Sequence, residues 1–168
     1  MIKKDKNIKM VSLDSSTSCS GVCSWINGIY EKSYIVETDK KIKGDEKLNQ
    51  MIDKLYSIIS SEKPDIVVVE MVAVTRNVQS TRMLQELTGA IRGYCVGHNI
   101  EYIALRPSEW RKQIVSVCHQ KPNGRKREDQ KKWSLDIVNN KMGIITESDD
   151  QSDAILIGKS YIEMMKGG

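Results

Sequence analysis

The chain has 168 residues, of which 39% are hydrophobic and 29% charged, and we expect a single globular domain spanning residues 1–168. Its four cysteines form no CxxC pair or Cys-His cluster, which argues against a structural zinc site and indicates reduced thiols. The net charge of +4 is too small to identify a partner, and no apolar run approaches the roughly 20 residues of a membrane span. We therefore expect a cytoplasmic protein with no membrane partner.

The first part of the chain predicts an antiparallel meander. Residues 8–14 and 20–26 have the composition and alternation of short strands. Asn27-Gly28 follows, a pair typical of a two-residue hairpin turn, and residues 29–37 alternate again as a third strand would. Three consecutive strands joined by short turns are therefore expected.

The middle of the chain alternates between helical and strand patterns. Residues 45–62 carry apolar side chains at helical spacing and are followed by Pro64. Residues 65–70, DIVVVE, form a continuous apolar run that is typical of a parallel strand buried on both faces. A second helix is predicted over 79–97 and another strand over 100–105.

The last third of the chain is predicted to be helical. Pro107 suits the first turn of a helix, the run KPNG at 121–124 interrupts the pattern, and helices follow over 126–140 and 150–166. The resulting order, β-β-β-α-β-α-β-α-α-α, predicts an α/β fold with a mixed five-stranded sheet flanked by helices. This order resembles that of the RNase H-like fold.

Four carboxylates fall where such a fold would bring them together. Asp14 ends the first strand, Glu70 ends the buried strand, and Asp150 and Asp153 share one face of the last helix. Two such charges about 5 Å apart repel by roughly 3 kcal/mol at an effective dielectric of about 20, so the cluster needs cations. Carboxylate oxygens suit Mg²⁺ or Mn²⁺, and two such ions can promote in-line attack of water on a phosphodiester. The sequence thus predicts two Mg²⁺ ions, with Mn²⁺ able to substitute.

Each carboxylate taken singly also has a purely structural explanation. Asp14 can cap the turn that begins at Ser15, and Glu70 can simply end a strand. Asp150 and Asp153 can complement a helix dipole, and we expect the neighbouring Asp149 to be no more than a helix cap. The joint occurrence, in this order and on these elements, favours a metal-dependent site without a Ser, Cys or His nucleophile and without a nucleotide cofactor.

Three segments resemble the acidic motifs of the RuvC-type Holliday junction resolvases. They are VSLDSSTSCSGV (11–22), DIVVVEMV (65–72) and DDQSDAILIG (149–158). The resemblance covers nearly the whole chain and matches the four carboxylates to the family's catalytic, metal-binding residues. The stretch RPSEWRKQI (106–114) is closer to phage and prophage members of the family.

The resemblance implies a homodimeric, magnesium-dependent endonuclease that acts on branched DNA. Such an enzyme nicks two strands of a four-way junction symmetrically and leaves 5′-phosphate and 3′-hydroxyl ends. A phage-encoded version would work in the cytoplasm of a bacterial host and is expected to accept other branched DNA as well.

The family also has basic residues beside the site, and these give candidate contacts to DNA. By position, Arg111 or Lys112 matches the first of them and Lys126 or Arg127 the second. Arg76 is a further candidate, because it lies in a segment where other members carry an aromatic residue. Such side chains bind phosphate oxygens and carry little sequence information.

Two other features are expected to be structural. Lys131 and Lys132 fit a solvated helix face, and Trp110 is expected in the core rather than stacked on a base.

Three other functions compete with this hypothesis. A fragment of an actin-like sugar kinase or ATPase begins with a similar strand and turn, although 168 residues leave no room for its second domain. A non-catalytic binder of branched DNA has no need of all four carboxylates. An RNase H-like nuclease acting on another nucleic acid, such as an RNA–DNA hybrid, usually has a different acidic spacing.

Overall fold

Residues 7–72, 77–146 and 148–167 are described by a computed structural model. The strands are β1 (Lys9–Asp14), β2 (Cys19–Ile26), β3 (Ile29–Glu37), β4 (Ile66–Glu70) and β5 (Glu101–Leu105). The helices are α1 (Gly44–Glu62), α2 (Val78–Gly97), α3 (Pro107–Cys118), α4 (Arg127–Asp136) and α5 (Asp149–Lys166). The predicted order of strands and helices is confirmed.

One predicted helix ends differently from the expectation. The helix expected over 126–140 is α-helical only to Asp136 and continues as a π-helical segment, Ile137–Lys141. The side chain of Asn139 there accepts a hydrogen bond from the backbone N–H of Thr146 (2.9 Å) and donates one to its carbonyl (3.1 Å). These bonds tie the end of α4 to the loop that precedes α5.

The five strands form one mixed sheet in the order β3-β2-β1-β4-β5. β2 pairs antiparallel with β1 and β3, whereas β4 pairs in parallel with β1 and β5. Asn27 and Gly28 join β2 to β3. Their φ angles of 53° and 76° are those of the two-residue hairpin turn that the sequence predicted. β1 and β4 therefore lie in the middle of the sheet, where the apolar run of β4 is buried on both faces.

The two faces of the sheet belong to different cores. Val11 and Leu13 of β1 pack in the core formed with α1 and α2, whereas Met10 packs in the core formed with α3, α4 and α5. Successive side chains of a strand point to opposite faces, so Asp14 lies on the same side as Met10. The same alternation places Glu70 on the side of α3, α4 and α5.

α5 lies directly on the sheet because two glycines allow it to approach. A Cβ added at Gly21 in β2 would collide with the backbone carbonyl of Asp150, and one at Gly158 would collide with the side chains of Ser12 and Trp25. The Ser12 hydroxyl in β1 donates to the carbonyl of Ala154 in α5 (2.7 Å). These contacts determine where the first turns of α5 lie above the strands.

Across the described residues, no helix has the length and apolar character needed to cross a membrane.

Candidate active site

Asp14 and Glu70 lie side by side at the carboxyl ends of the two neighbouring strands β1 and β4. β1 and β4 run in parallel, and the last residues paired in their register are Leu13 and Val69. Asp14 and Glu70 come next on two strands that are about 4.8 Å apart in a typical sheet. Their side chains therefore leave the sheet together, on the side covered by α3, α4 and α5.

The first turns of α5 bring the other two carboxylates to the same place. The Ser148 hydroxyl caps the helix by accepting from the backbone N–H of Gln151 (3.4 Å). Gly21, which pairs with Asp14 across β1 and β2, leaves the room that the backbone of Asp150 occupies. One cavity of about 320 Å³ is consequently lined by all four predicted carboxylates: Asp14, Glu70, Asp150 and Asp153.

The charge of these groups makes the site electrostatically unfavourable without a cation. Burial raises the pKa of Asp14 well above its usual value, and the negative charges of Asp153, Glu70 and Asp150 raise it further. Burial likewise raises the pKa of Asp153, to about 6, although the Ser134 hydroxyl and the Arg111 guanidinium act in the opposite direction. Desolvation and like charges both disfavour ionised carboxylates, and a bound cation would relieve both.

Several buried polar atoms around this cavity lack a hydrogen-bond partner among the described residues. They include Asp153 Oδ1, Ser15 Oγ and Arg111 Nε. Buried polar atoms are normally paired, so such a concentration indicates a place where a ligand or ordered water completes the bonding.

The carboxylate oxygens of this cavity suit a hard divalent cation, but they are not arranged as a closed cage. In the described ranges, no three His, Cys, Asp or Glu side chains converge in a way that holds an ion as they stand. Mutual repulsion of the carboxylates opposes such convergence, and Glu70 is also held by neighbouring side chains. Coordination by Asp14, Glu70, Asp150 and Asp153 would therefore require side-chain rotations.

Glu70 is held by two consecutive residues of α3. Trp110 Nε1 donates to Glu70 Oε1 (2.8 Å), and Arg111 Nη2 lies 3.5 Å from the same oxygen. Trp110 is fully buried and its ring packs against Trp133, so the expectation that it belongs to the core is confirmed. A fully buried ring is not available to stack on a base.

The predicted basic residues separate into two groups. Arg111 and Arg127 line the cavity together with the carboxylates. Lys112 is exposed and lines a different surface depression, and Lys126 is exposed at the N-cap of α4. Arg76 lies outside the described residues. In each predicted pair, the arginine rather than the lysine thus lies at the cavity.

Lys131 and Asp149 are two cavity residues that the sequence analysis assigned elsewhere. Their side chains form an ion pair between α4 and α5, and both line the cavity. The expectation of a solvated helix face was therefore wrong for Lys131, whereas Lys132 is exposed as expected. Lys131 follows Arg127 by four residues, and this spacing on a helix was the available signal that both face the same way. Asp149 lies in the first turn, while the cap itself is Ser148.

Known sequences identify the family of this chain. The family model described as crossover junction endodeoxyribonuclease RuvC matches residues 26–158. The RuvC of Dictyoglomus thermophilum is 28% identical over 121 residues, which cover 72% of each chain. That of Carboxydothermus hydrogenoformans is 27% identical over 115 residues, 67% of this chain and 73% of the relative. The family match includes Glu70, Asp150 and Asp153 and begins after Asp14, whose place beside Glu70 follows from the pairing of β1 with β4.

Solved structures confirm the RNase H-like fold. T. thermophilus RuvC in complex with a Holliday junction substrate superposes with a TM-score of 0.72 at 12% identity, covering 96% of both chains. The yeast mitochondrial Holliday junction resolvase Ydc2 superposes with a TM-score of 0.62 at 13% identity, covering 94% of this chain and 78% of the other. RuvC-type proteins are metal-dependent nucleases, in agreement with the carboxylate-lined cavity. Because the family model matches well over half of its length, the chain belongs to the RuvC family of crossover junction endodeoxyribonucleases.

Proposed function

We propose that this chain is a structure-selective endonuclease that resolves Holliday junctions by Mg²⁺-dependent phosphodiester hydrolysis, leaving 5′-phosphate and 3′-hydroxyl ends. The observation that carries this proposal is the cavity of about 320 Å³ that four carboxylates share in a chain of this family. The junction as substrate is supported by the T. thermophilus relative, whose structure contains a Holliday junction substrate.

The carboxylates are the proposed metal ligands. Asp14, Glu70, Asp150 and Asp153 would together hold two Mg²⁺ ions, or Mn²⁺ in their place, since these ions prefer oxygen donors. When bound, the ions supply charge neutralisation and promote in-line attack by water on the scissile phosphodiester. The raised pKa values of Asp14 and Asp153 mean that their ionised forms are disfavoured in the metal-free chain, which a bound cation would offset.

The arginines at the cavity are the proposed contacts to the scissile strand. Arg111 and Arg127 lie beside the carboxylates, where a guanidinium can hold phosphate oxygens and offset charge that develops in the transition state. Lys112, Lys126 and Arg76 are proposed to contact phosphates of the flanking DNA.

The proposed active form is a homodimer of single-domain chains, each spanning residues 1–168. A four-way junction has two-fold symmetry, and a two-fold dimer places two equivalent active sites on its symmetry-related strands. Other branched DNA that presents the same geometry would also be cut.

Junction cleavage by the wild type and by Asp14→Asn tests the proposal. We expect the variant to bind a labelled four-way junction in Ca²⁺ as the wild type does. Its cleavage rate in Mg²⁺ should fall by at least about 100-fold, more than the loss typical of a residue that only supports a ligand. Asp53→Asn, the same change at an exposed position on α1, is the matched control and should cut normally.

Linear duplex and RNA–DNA hybrid of the same sequence complete this experiment. Preference for the hybrid over the junction would contradict the proposal in favour of an RNase H-like activity. Tight junction binding without cleavage in either Mg²⁺ or Mn²⁺ would indicate a non-catalytic binder. Undiminished cleavage by Asp14→Asn would remove Asp14 from the site.

A further inference from the structure

The indole N–H of Trp110 is directed at a carboxylate of the candidate active site. Nε1 lies 2.8 Å from Glu70 Oε1, and the Trp110 side chain is fully buried. An indole nitrogen donates and never accepts, so the direction of this bond is unambiguous. A hydrogen bond to an ionised carboxylate is shorter and stronger than one between neutral groups.

The orientation of Trp110 is determined by packing that does not involve Glu70. α3 starts at Pro107, directly after β5, and the Glu109 carboxylate accepts from the backbone N–H of Arg106 (2.9 Å), which fixes the first turn. The indole stacks against Trp133 with ring centroids 6.4 Å apart and planes inclined by 27°. The donor is therefore already in place, and the more flexible glutamate adapts to it.

Arg111 reinforces the same arrangement from the outer side. Its guanidinium carbon lies 4.3 Å from the centre of the Trp110 ring, and its Nη2 lies 3.5 Å from Glu70 Oε1. Among contacts between described residues, both α3 side chains thus approach the same oxygen of Glu70. Neither side chain is hydrogen-bonded to Glu70 Oε2.

The other two tryptophans donate to neutral groups. Trp25 Nε1 donates to the Ser12 hydroxyl (3.0 Å), and Trp133 Nε1 donates to the backbone carbonyl of Gln120 (3.0 Å). Both of these side chains are also buried. Satisfying a buried indole therefore does not require a carboxylate, and the contact between Trp110 and Glu70 calls for a role at the site.

We propose that Trp110 is a positioning residue, whose N–H holds Glu70 Oε1 so that Oε2 is presented to the metal ion. The inference rests on the proposed function, in which Glu70 is a metal ligand. A ligand carboxylate held by a fixed donor loses less rotational freedom when it binds the ion, and residues that support ligands in this way typically contribute about 10- to 100-fold in metal affinity.

Mn²⁺ binding to the DNA-free protein, followed by electron paramagnetic resonance, tests this role. Trp110→Phe removes the N–H, and we expect Mn²⁺ binding about tenfold weaker than in the wild type. The Mn²⁺ concentration for half-maximal junction cleavage should rise by the same factor, while junction affinity in Ca²⁺ stays unchanged. Trp25→Phe removes a buried indole N–H that donates to Ser12 rather than to Glu70, and it should leave Mn²⁺ binding unchanged.

A second variant separates the effect of losing the N–H from the effect of losing ring volume. Benzothienylalanine at position 110 keeps the bicyclic shape and has sulfur in place of the N–H, so it should fold where phenylalanine leaves too large a void. The same loss of Mn²⁺ affinity is expected from it.

The outcomes distinguish this inference from the proposed function. Mn²⁺ affinity equal to wild type in both Trp110 variants, or an equal loss in Trp25→Phe, overturns the positioning role while wild-type cleavage stands. A wild-type protein that neither binds Mn²⁺ nor cuts junctions overturns the proposed function and the inference with it.

Discussion

Asp14 and Asp153 are carboxylates whose ionised forms are disfavoured by their surroundings. Both side chains lie at a carboxylate-lined cavity, and burial is the main reason that their pKa values are raised. Nearby like charges that no cation neutralises destabilise the folded state, because each disfavours the ionised form of the other. At this site the repulsion agrees with the proposed metal-binding function.

The first prediction concerns the stability of the metal-free protein. The pKa of Asp153 is about 6 in the folded chain and near 3.8 when unfolded, so the folded state binds the proton more tightly. Metal-free wild type should therefore lose stability as pH rises from about 4 to about 6, by on the order of 3 kcal/mol from this group. Asp153→Asn cannot ionise and avoids this loss.

Thermal unfolding in EDTA measures the effect. At pH 7.5 the Asp153→Asn protein should melt about 5 °C or more above the wild type, and the difference should shrink towards pH 4. Adding Mg²⁺ should stabilise the wild type more than the variant. A variant that melts below the metal-free wild type at pH 7.5 would contradict the predicted repulsion.

At the scale of elements, the site depends on how closely α5 approaches the sheet. Asp150 and Asp153 belong to the helix, whereas Asp14 and Glu70 belong to strands, and the two pairs meet only if the helix start lies on β2. Gly21 permits that contact, and the hydrogen bond from Ser12 to Ala154 holds the next turn.

The second prediction is that Gly21→Ala separates these two halves of the site. The added methyl group would collide with the backbone carbonyl of Asp150, and backbone yields less readily than a flexible side chain. Overpacking of this kind typically destabilises by about 1–3 kcal/mol. The first turn of α5 should be displaced, so junction cleavage should fall and half-saturation should require more Mg²⁺.

Gly93→Ala is the matched control, because a Cβ there meets no atom within 4 Å. This exposed position lies inside α2, where alanine is favoured over glycine by up to about 1 kcal/mol. Thermal unfolding and Mg²⁺-dependent cleavage of both variants test the idea. Wild-type cleavage by Gly21→Ala would show that α5 tolerates the displacement.

At the scale of the whole molecule, the proposed function depends on two sites acting on one junction. Each chain contains one cavity with the four carboxylates, whereas resolution of a four-way junction requires two incisions. A two-fold dimer matches the symmetry of the substrate.

The third prediction is that a cruciform-bearing supercoiled plasmid is converted mainly to linear product, because both incisions occur within one complex. Dimers mixed from wild type and Asp14→Asn have one functional site and should give nicked circles instead. Agarose gels of the time course distinguish the two products, and sedimentation equilibrium reports the mass of the free protein. Nicked circles as the main wild-type product would contradict paired incision.

The sequence by itself determined the order of elements and the four candidate carboxylates. Four local signals carried these predictions, and none requires knowledge of the fold. They are strand alternation, the apolar run before Glu70, the turn at Asn27-Gly28 and the helical spacings. The resemblance to RuvC-type resolvases supplied the substrate class and the basic candidates, and the origin from a phage stays a prediction.

Only the tertiary structure decided which neighbouring side chains take part. It placed Arg111 rather than Lys112 at the cavity, added Lys131 beside Asp149, and directed Trp110 at Glu70. These contacts join residues far apart in the chain. They depend on strand register and on how each helix is rotated against the sheet, and local periodicity constrains neither to within one side chain.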